Sequence, residues 1–252
     1  RGSRGAVLEM IAPRLTVPAS AKGRLAALLA VATGLSAACS NDPQLAGRYD
    51  AARQLVQSGA AAVRPDDAAR PGGQAASEPA AVRALLAQLP PGPVIRLDIP
   101  SAQQSAFALL NGATAGHVTF TTFSGQSLSF RGGVVVATRG LVYDLMGAET
   151  GGVETAVARR APSRHRRVHR YLGADEQERA LAFSCSLARE GPERIVLVSG
   201  ERFATTRMRE TCQSERFTFN NLYWVAGDGA VVRTVQWISR DLGEVGVEIF
   251  RR

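Results

Sequence analysis

What this chain lacks narrows its chemistry first. It has only three histidines, His117, His165 and His169, and three cysteines, Cys39, Cys185 and Cys212. No histidine stands at a zinc-ligand spacing from a cysteine, so the sequence offers no structural zinc framework. There is no Gly-x-Ser-x-Gly elbow, and carboxylate pairs such as Asp241 and Glu244 fall in loop-like surroundings. Nothing therefore assembles into a catalytic constellation, and no enzymatic activity is expected. No apolar run reaches the about 20 residues that a spanning helix needs. Lys22 is the only lysine, an arginine bias that fits a GC-rich genome, as does the abundance of Ala and Gly. Charge is also modest. The formal net charge is +8, and residues 1–39 hold a net +4 of it, leaving +4 for the rest. That is too little for a dedicated nucleic-acid binder.

What is present begins with Arg24 to Cys39, RLAALLAVATGLSAAC. Lys22 and Arg24 supply a positive start, Leu25 to about Leu35 an apolar stretch, and Ser36-Ala37-Ala38-Cys39 a small-residue site ending in a thiol. This is the pattern of a bacterial lipoprotein signal. Residues 1–38 are read as the signal peptide, with the natural start expected at Met10. Cys39 would carry a diacylglycerol and an N-acyl chain such as palmitate, and no other cofactor is expected. Leu35 lies four residues before Cys39 rather than the more usual three. A plain cleaved signal without lipid is the alternative. Ser40 after the cysteine is compatible with sorting to the outer membrane. With Cys39 lipidated, Cys185 and Cys212 form an even pair, which in an oxidising periplasm reads as one disulfide; two buried free thiols are the alternative.

Residues 39–93 read as a lipidated tether with helical segments. Residues 44–62 have helical spacing, 64–79 are a Pro-, Gly- and Ala-rich linker, and Glu78 to Leu89 is a short helix with Val82, Leu85, Leu86 and Leu89 as its apolar stripe. From Val94 the period becomes two. Strands are expected at Val94–Ile99, 105–111, 117–123, 128–131 and 134–138. Residues 139–157 read as irregular and flexible, followed by the arginine run. Further strands are expected at 179–187, 194–199, 204–212, 217–226, 231–239 and 243–250, with turns at Glu190-Gly191-Pro192, Gly200-Glu201 and Gly227-Asp228-Gly229. Ten or so strands make residues 94–252 a mainly β domain: an antiparallel barrel or strongly curled sheet, with one or two N-terminal helices.

Two groups of residues are candidates for contact. Arg159, Arg160, Arg164, Arg166, Arg167 and Arg170 form the densest charge run in the chain. Guanidinium groups pair bidentately with carboxylates or phosphates, so the run is a candidate polyanion contact; a solvated, mobile loop is the other reading. The same positive field disfavours a metal at His165 and His169. Tyr223, Trp224 and Trp237 lie on two strands joined by a hairpin and could stack on sugars. Aromatic pairs packing a barrel core explain them equally.

The C-terminal block FTFNNLYWVAGDGAVVRTVQWISRDLGEVGVEIFRR resembles the YjbF/GfcB family of exopolysaccharide and capsule lipoproteins. Tyr223-Trp224, Asp228-Gly229, Gln236-Trp237, Leu242-Gly243 and Val245–Phe250 take the places of the family's strands and turns. Thr138, Gly140 and Leu141 match an upstream Thr-x-Gly-Leu. Ser239-Arg240-Asp241 departs from the pattern, where a proline is common. The resemblance implies a non-enzymatic lipoprotein of exopolysaccharide or capsule production, held at the periplasmic face of the outer membrane. It also implies an outer-membrane β-barrel protein and a periplasmic companion as partners, with the extracellular polysaccharide as a possible further one. An anionic-glycan-binding module and a polysaccharide-modifying enzyme are the rival functions.

Overall fold

The computed structural model describes residues 78–141, 143–173 and 175–251. The signal segment, Cys39 and the helix expected over 44–62 lie outside them. Helix α1 spans Glu78–Gln88. The strands are β1 (Val94–Ile99), β2 (Gln104–Thr114), β3 (His117–Thr122), β4 (Ser127–Arg131), β5 (Val134–Arg139), β6 (Gly147–Glu149), β7 (Ser163–Leu172), β8 (Glu178–Val196), β9 (Arg202–Gln213), β10 (Thr218–Ala226), β11 (Val231–Ser239) and β12 (Gly243–Arg251). A second helix, α2 (Val153–Arg159), lies between β6 and β7. No described helix is long and apolar enough to cross a membrane.

All twelve strands form one sheet in the order β5-β4-β3-β2-β1-β12-β11-β10-β9-β8-β7-β6. The first strand pairs with the last, antiparallel, from Val94 to Asp98. Strands β5 and β6 are consecutive in the chain yet stand at opposite ends of the sheet. One short loop must therefore bring the two ends together, and the sheet rolls into a nearly closed antiparallel barrel. Closure removes the exposed edges that an open sheet of this size would present. The seam is joined where Thr138 N–H donates to Leu145 O at 2.9 Å.

Three expectations need correction. Within the stretch 139–157 expected to be irregular, Gly147–Glu149 form β6 and Val153–Val157 belong to α2. The arginine run is a strand, β7, paired with β8 from Ser163 to Leu172. The expected turn at Glu190-Gly191-Pro192 is a bulge inside one 19-residue strand, β8, with the register slipping between Arg189 and Gly191. Pro192 is tolerated there because β7 pairs with β8 only as far as Leu187. A strand edge with no neighbour tolerates proline.

One end of the barrel is plugged. Val153 and Val157 of α2 are buried against Val134, Leu187, Met208, Tyr223, Val225 and Val231. The two-residue turn Gly132-Gly133 takes positive φ at both positions, 53° and 85°, as a type I′ hairpin requires. A Cβ on Gly133 would sit 2.6 Å from the Val231 side chain, so the close approach of β5 to β11 also requires glycine there. The turns of the hairpins β1–β2, β3–β4, β9–β10 and β11–β12 stand at the other end. The lumen between is filled. One half is aliphatic and aromatic, with Ile95, Leu97, Ala108, Phe120, Leu128, Phe130, Ile238, Val245 and Val247. Helix α1 lies outside the barrel, where Leu86 and Leu89 cover Val94, Leu109 and Phe250. Arg83 fastens it by donating to Ser199 O at 2.7 Å.

Candidate functional site

Alternation along β7 divides the arginine run. His165, Arg167 and His169 turn into the lumen, while Arg164 and Arg166 face out and are exposed. Arg170, also on the outer face, is engaged by Glu149 and by Glu178 at 2.9 Å. Arg160 ends α2 in the left-handed region and donates to Ala226 O at 2.7 Å and Gly227 O at 2.9 Å, tying the helix to the β10–β11 turn. Arg167 is therefore not a surface contact, and Arg160 and Arg170 are already occupied. Of the six, Arg159, Arg164 and Arg166 remain exposed, and no ion pair holds them among the described residues.

Inside, Arg167 meets Glu210 of β9, which is wholly buried. Arg167 Nη1 donates to Glu210 Oε2 at 2.8 Å and to Oε1 at 3.1 Å. His165 Nε2 donates to Oε1 at 2.7 Å. Asn221 Nδ2 and the Tyr223 hydroxyl donate to Oε2 at 2.7 and 2.8 Å. A carboxylate accepts only, so each partner must be the donor. Burial by itself pushes the Glu210 carboxyl up. The Arg167 charge and the bonds from His165, Asn221 and Tyr223 outweigh it and hold the group at about 2. For Arg167, burial works against the charge and Glu210 more than restores it, so its pKa is raised. Burial, reinforced by the neighbouring Glu210 charge, also raises the Tyr223 phenol.

The network extends to the seam. Strand β6 has three residues and β5 has six, so part of β5 has no strand beside it. Gln236 of β11 fills that place: its Oε1 accepts from Val135 N–H and its Nε2 donates to Gly133 O, both at 2.9 Å. Arg167 Nη2 approaches Val135 O at 3.5 Å. Buried side chains thus satisfy backbone groups that an edge strand would leave orphaned. Composition alone carries no sign of Glu210, Asn221 or Gln236 as a cluster. Only the alternation, once β9, β10 and β11 are strands, places their side chains on one face.

Cys185 and Cys212 lie directly opposite one another on β8 and β9 and are joined as a disulfide. His165, Cys185 and Glu210 bring ligand atoms within 4.8 Å of one another. The disulfide removes the thiolate, and the Arg167 guanidinium sits on the same carboxylate, so this trio does not suit a cation.

The three aromatic candidates do not share a surface. Tyr223 is fully buried in the lumen. Trp224 packs on the outer wall with Ile195, Leu197, Ala226 and Val232, with the Arg233 guanidinium 5.1 Å over its ring. Trp237 turns inward. Asn221 Oδ1 accepts its N–H at 2.8 Å in place of a ladder carbonyl, and its ring stacks on Phe219 at 4.5 Å and on His169 at 5.8 Å. Core packing, not a glycan platform, describes Tyr223, Trp224 and Trp237. His169 lies among Phe183, Phe219 and Trp237. Burial first, then the Arg167 charge, lowers its pKa to about 3, so it is neutral. Tyr171 donates its hydroxyl hydrogen to Ile238 O at 2.5 Å, so His169 Nδ1–H is the donor to the Tyr171 oxygen at 3.1 Å. Its Nε2 is buried and has no partner among the described residues.

Comparison with known proteins follows the same lines. Residues 67–250 match the family described as group 4 capsule polysaccharide lipoprotein GfcB, YjbF, and the chain belongs to it. Among solved structures, the hypothetical lipoprotein YmcC from Escherichia coli K12 superposes with a TM-score of 0.57 at 19% identity, over 65% of this chain and 85% of that one. It shares the fold. A putative exported protein with a YmcC-like fold from Bacteroides fragilis covers 63% of this chain and 93% of its own, at 10% identity and a TM-score of 0.27. A comparison with curated proteins finds no match.

Proposed function

We propose that this member of the capsule polysaccharide lipoprotein family acts by contact, without turnover, in exopolysaccharide or capsule production. In this reading the lipid on Cys39 holds it to the periplasmic face of the outer membrane. A single acyl chain anchors only marginally, and the several chains of a bacterial lipoprotein anchor stably. The observation that carries the reading is the filled lumen. Helix α2 closes one end, and the Arg167–Glu210 network and the aromatic cluster around His169 occupy the interior. Such a barrel offers a polymer no passage, so polymer and protein partners must be met at the loops and on the outer wall. The buried ionisable groups are tied to one another and shielded from solvent, where they cannot reach a polymer. An outer-membrane β-barrel protein and a periplasmic companion are the partners this role requires. The test is deletion in the native host. Extracellular polysaccharide should fall, return with the wild-type gene, and stay low with Cys39→Ser, which should move the protein into the soluble periplasmic fraction. Undiminished polymer after deletion refutes the role, and undiminished polymer with a soluble Cys39→Ser protein refutes the anchor.

Arg164 and Arg166 favour a second reading, contact with an anionic polymer. They stand two apart on the outer wall. Across the register lie Ser186 and Thr211 beside Arg164, and Ser184 and Gln213 beside Arg166, none of which neutralises them. Binding of a purified anionic polysaccharide should weaken with salt and be lost in Arg164→Glu/Arg166→Glu. Binding unaffected by either change excludes this site.

A further inference from the structure

The open end of the barrel carries a pocket that none of the features above uses. It has a volume of about 520 Å³, within the range of small-ligand sites. The core residues Leu97 and Ile99 lie at its base beside Ala106, and Gln103, Gln104, Ser105, Ser124 and Gln126 bring polar groups to it, with Ser105 Oγ already held by Arg96 and Asp98. We propose that this pocket binds an uncharged saccharide unit. The inference rests on the polysaccharide role proposed above and assigns it a site.

The chemistry of the lining selects the ligand. None of the side chains lining the pocket is charged. An ionic ligand would lose its hydration there without gaining a counter-charge. Amides and hydroxyls both donate and accept, as sugar hydroxyls do, and half-buried Ala106 adds a small apolar surface for a pyranose C–H group. The polar groups are also held ready. Gln126 Oε1 accepts from Ser124 Oγ at 2.9 Å and from Thr122 Oγ1 at 3.2 Å, and its backbone N–H is held by Thr122 Oγ1 at 3.1 Å. Its amide nitrogen has no partner among the described residues, so its donors are free while its position is fixed. Gln103 has φ 51° and ψ 38°, a left-handed conformation uncommon outside glycine, held by its N–H on Pro100 O. The turn that presents it is anchored by Ser101 Oγ donating to Leu242 O at 2.7 Å. Backbone in this region is costly and persists where surrounding contacts over-determine it, which favours a preformed site.

The neighbouring loop supports the same placement. Gly140 packs against Gln126, with 3.4 Å between its virtual Cβ and Gln126 Cα. Asp144 fixes this loop by accepting from Gly140 N–H at 2.7 Å, Leu141 N–H at 3.1 Å and Thr138 Oγ1 at 2.8 Å. The loop holds Tyr143 at φ 58° and 60% exposed.

The test is a titration of the full-length protein in detergent, followed by the side-chain amide signals of ¹⁵N-labelled glutamine. The probes are the neutral tetrasaccharides cellotetraose and maltotetraose, with tetragalacturonate as the charged control. A neutral probe should shift the Gln103, Gln104 and Gln126 amides saturably, with a dissociation constant in the millimolar range, and tetragalacturonate should leave them in place. Gln104→Ala/Gln126→Ala should weaken the neutral probe by about tenfold, the loss of two hydrogen bonds. Wild-type mapping needs no variant, so a misfolded double variant does not rescue the inference. Shifts confined to other residues, or no saturable shift with either neutral probe, overturn it. In the deletion host, the double variant should restore less polymer than wild type. Full restoration by the variant, where deletion does reduce polymer, refutes the pocket and leaves the wider role standing. An undiminished deletion strain refutes the wider role itself.

Discussion

Glu210→Ala should be among the most damaging single substitutions in the barrel. Glu210 has no exposed surface and neutralises Arg167, which is 2% exposed. Removing it strands a guanidinium in the lumen, a loss of about 3–5 kcal/mol. It also strips the acceptor from His165, Asn221 and Tyr223. For a domain of this size each kcal/mol lowers Tm by about 2–4 °C, so Tm should fall by about 6–20 °C. Arg167→Met should cost a similar amount, because it leaves the carboxylate unpaired. The double variant Arg167→Met/Glu210→Met buries no charge and should be more stable than the sum of the single losses by at least about 2 kcal/mol. Urea unfolding followed by Trp224 and Trp237 fluorescence measures all three. The reasoning is refuted if either single variant costs under about 1 kcal/mol or if the two losses simply add. Acid should act through the same group. Its folded pKa, about 2, lies below the ordinary 4.5. Its contribution is therefore complete above about pH 4.5 and is lost as pH falls from there toward 2. Glu210→Gln should abolish that part of the acid dependence.

Three further outcomes follow from neighbouring contacts. His169 is held neutral with a pKa of about 3 against 6.5, so it adds a loss of stability as pH falls below about 6.5; His169→Phe should flatten the curve between about pH 6.5 and 4.5 in acid-unfolding titrations, and an unchanged slope there rules it out. Gln236→Leu should leave Val135 N–H and Gly133 C=O buried and unpaired, costing about 2–4 kcal/mol, and should speed amide exchange in β5 ahead of β10. Reduction, or Cys185→Ser/Cys212→Ser, should lower stability by about 3 kcal/mol in the chain-entropy model, with no added loss when a reductant is applied to the double variant.

The sequence showed most of the wall and little of the interior. Period-two patterning and β-branched or aromatic runs between turn residues located β1, β3, β5, β10, β11 and β12 to within a residue or so. The disulfide partners were legible as the even pair left once Cys39 is read as lipidated. Helix α2 was not. Its Gly147–Val157 surroundings look flexible by composition, yet Val153 and Val157 are stacked one turn apart and buried as a plug, a role that only the closed barrel creates. Strand β8 was divided in two because Gly191-Pro192 signals a turn, and in the barrel the same pair makes a bulge on an unpaired edge.

The arginine run shows why a charge cluster should be assigned to faces before it is assigned a function. Counted along the chain, Arg164, Arg166, Arg167 and Arg170 are one patch. On a strand, Arg167 alone among them takes the parity of His165 and His169, and it does so opposite the one carboxylate, Glu210, placed to receive it. A positive charge in a lumen is stable only with such a partner, so Arg167 and Glu210 specify each other and belong to the architecture. Arg164 and Arg166 have no such obligation: the strand beside them offers serines, and their charge faces outward. Any polyanion contact in this run must therefore be carried by those two with Arg159. Charge reversal at Arg164 and Arg166 should leave stability within about 0.5 kcal/mol of wild type, whereas the same change at Arg167 should prevent folding. Equal unfolding midpoints for the Arg167→Glu and Arg166→Glu proteins would show that the assignment to faces is wrong.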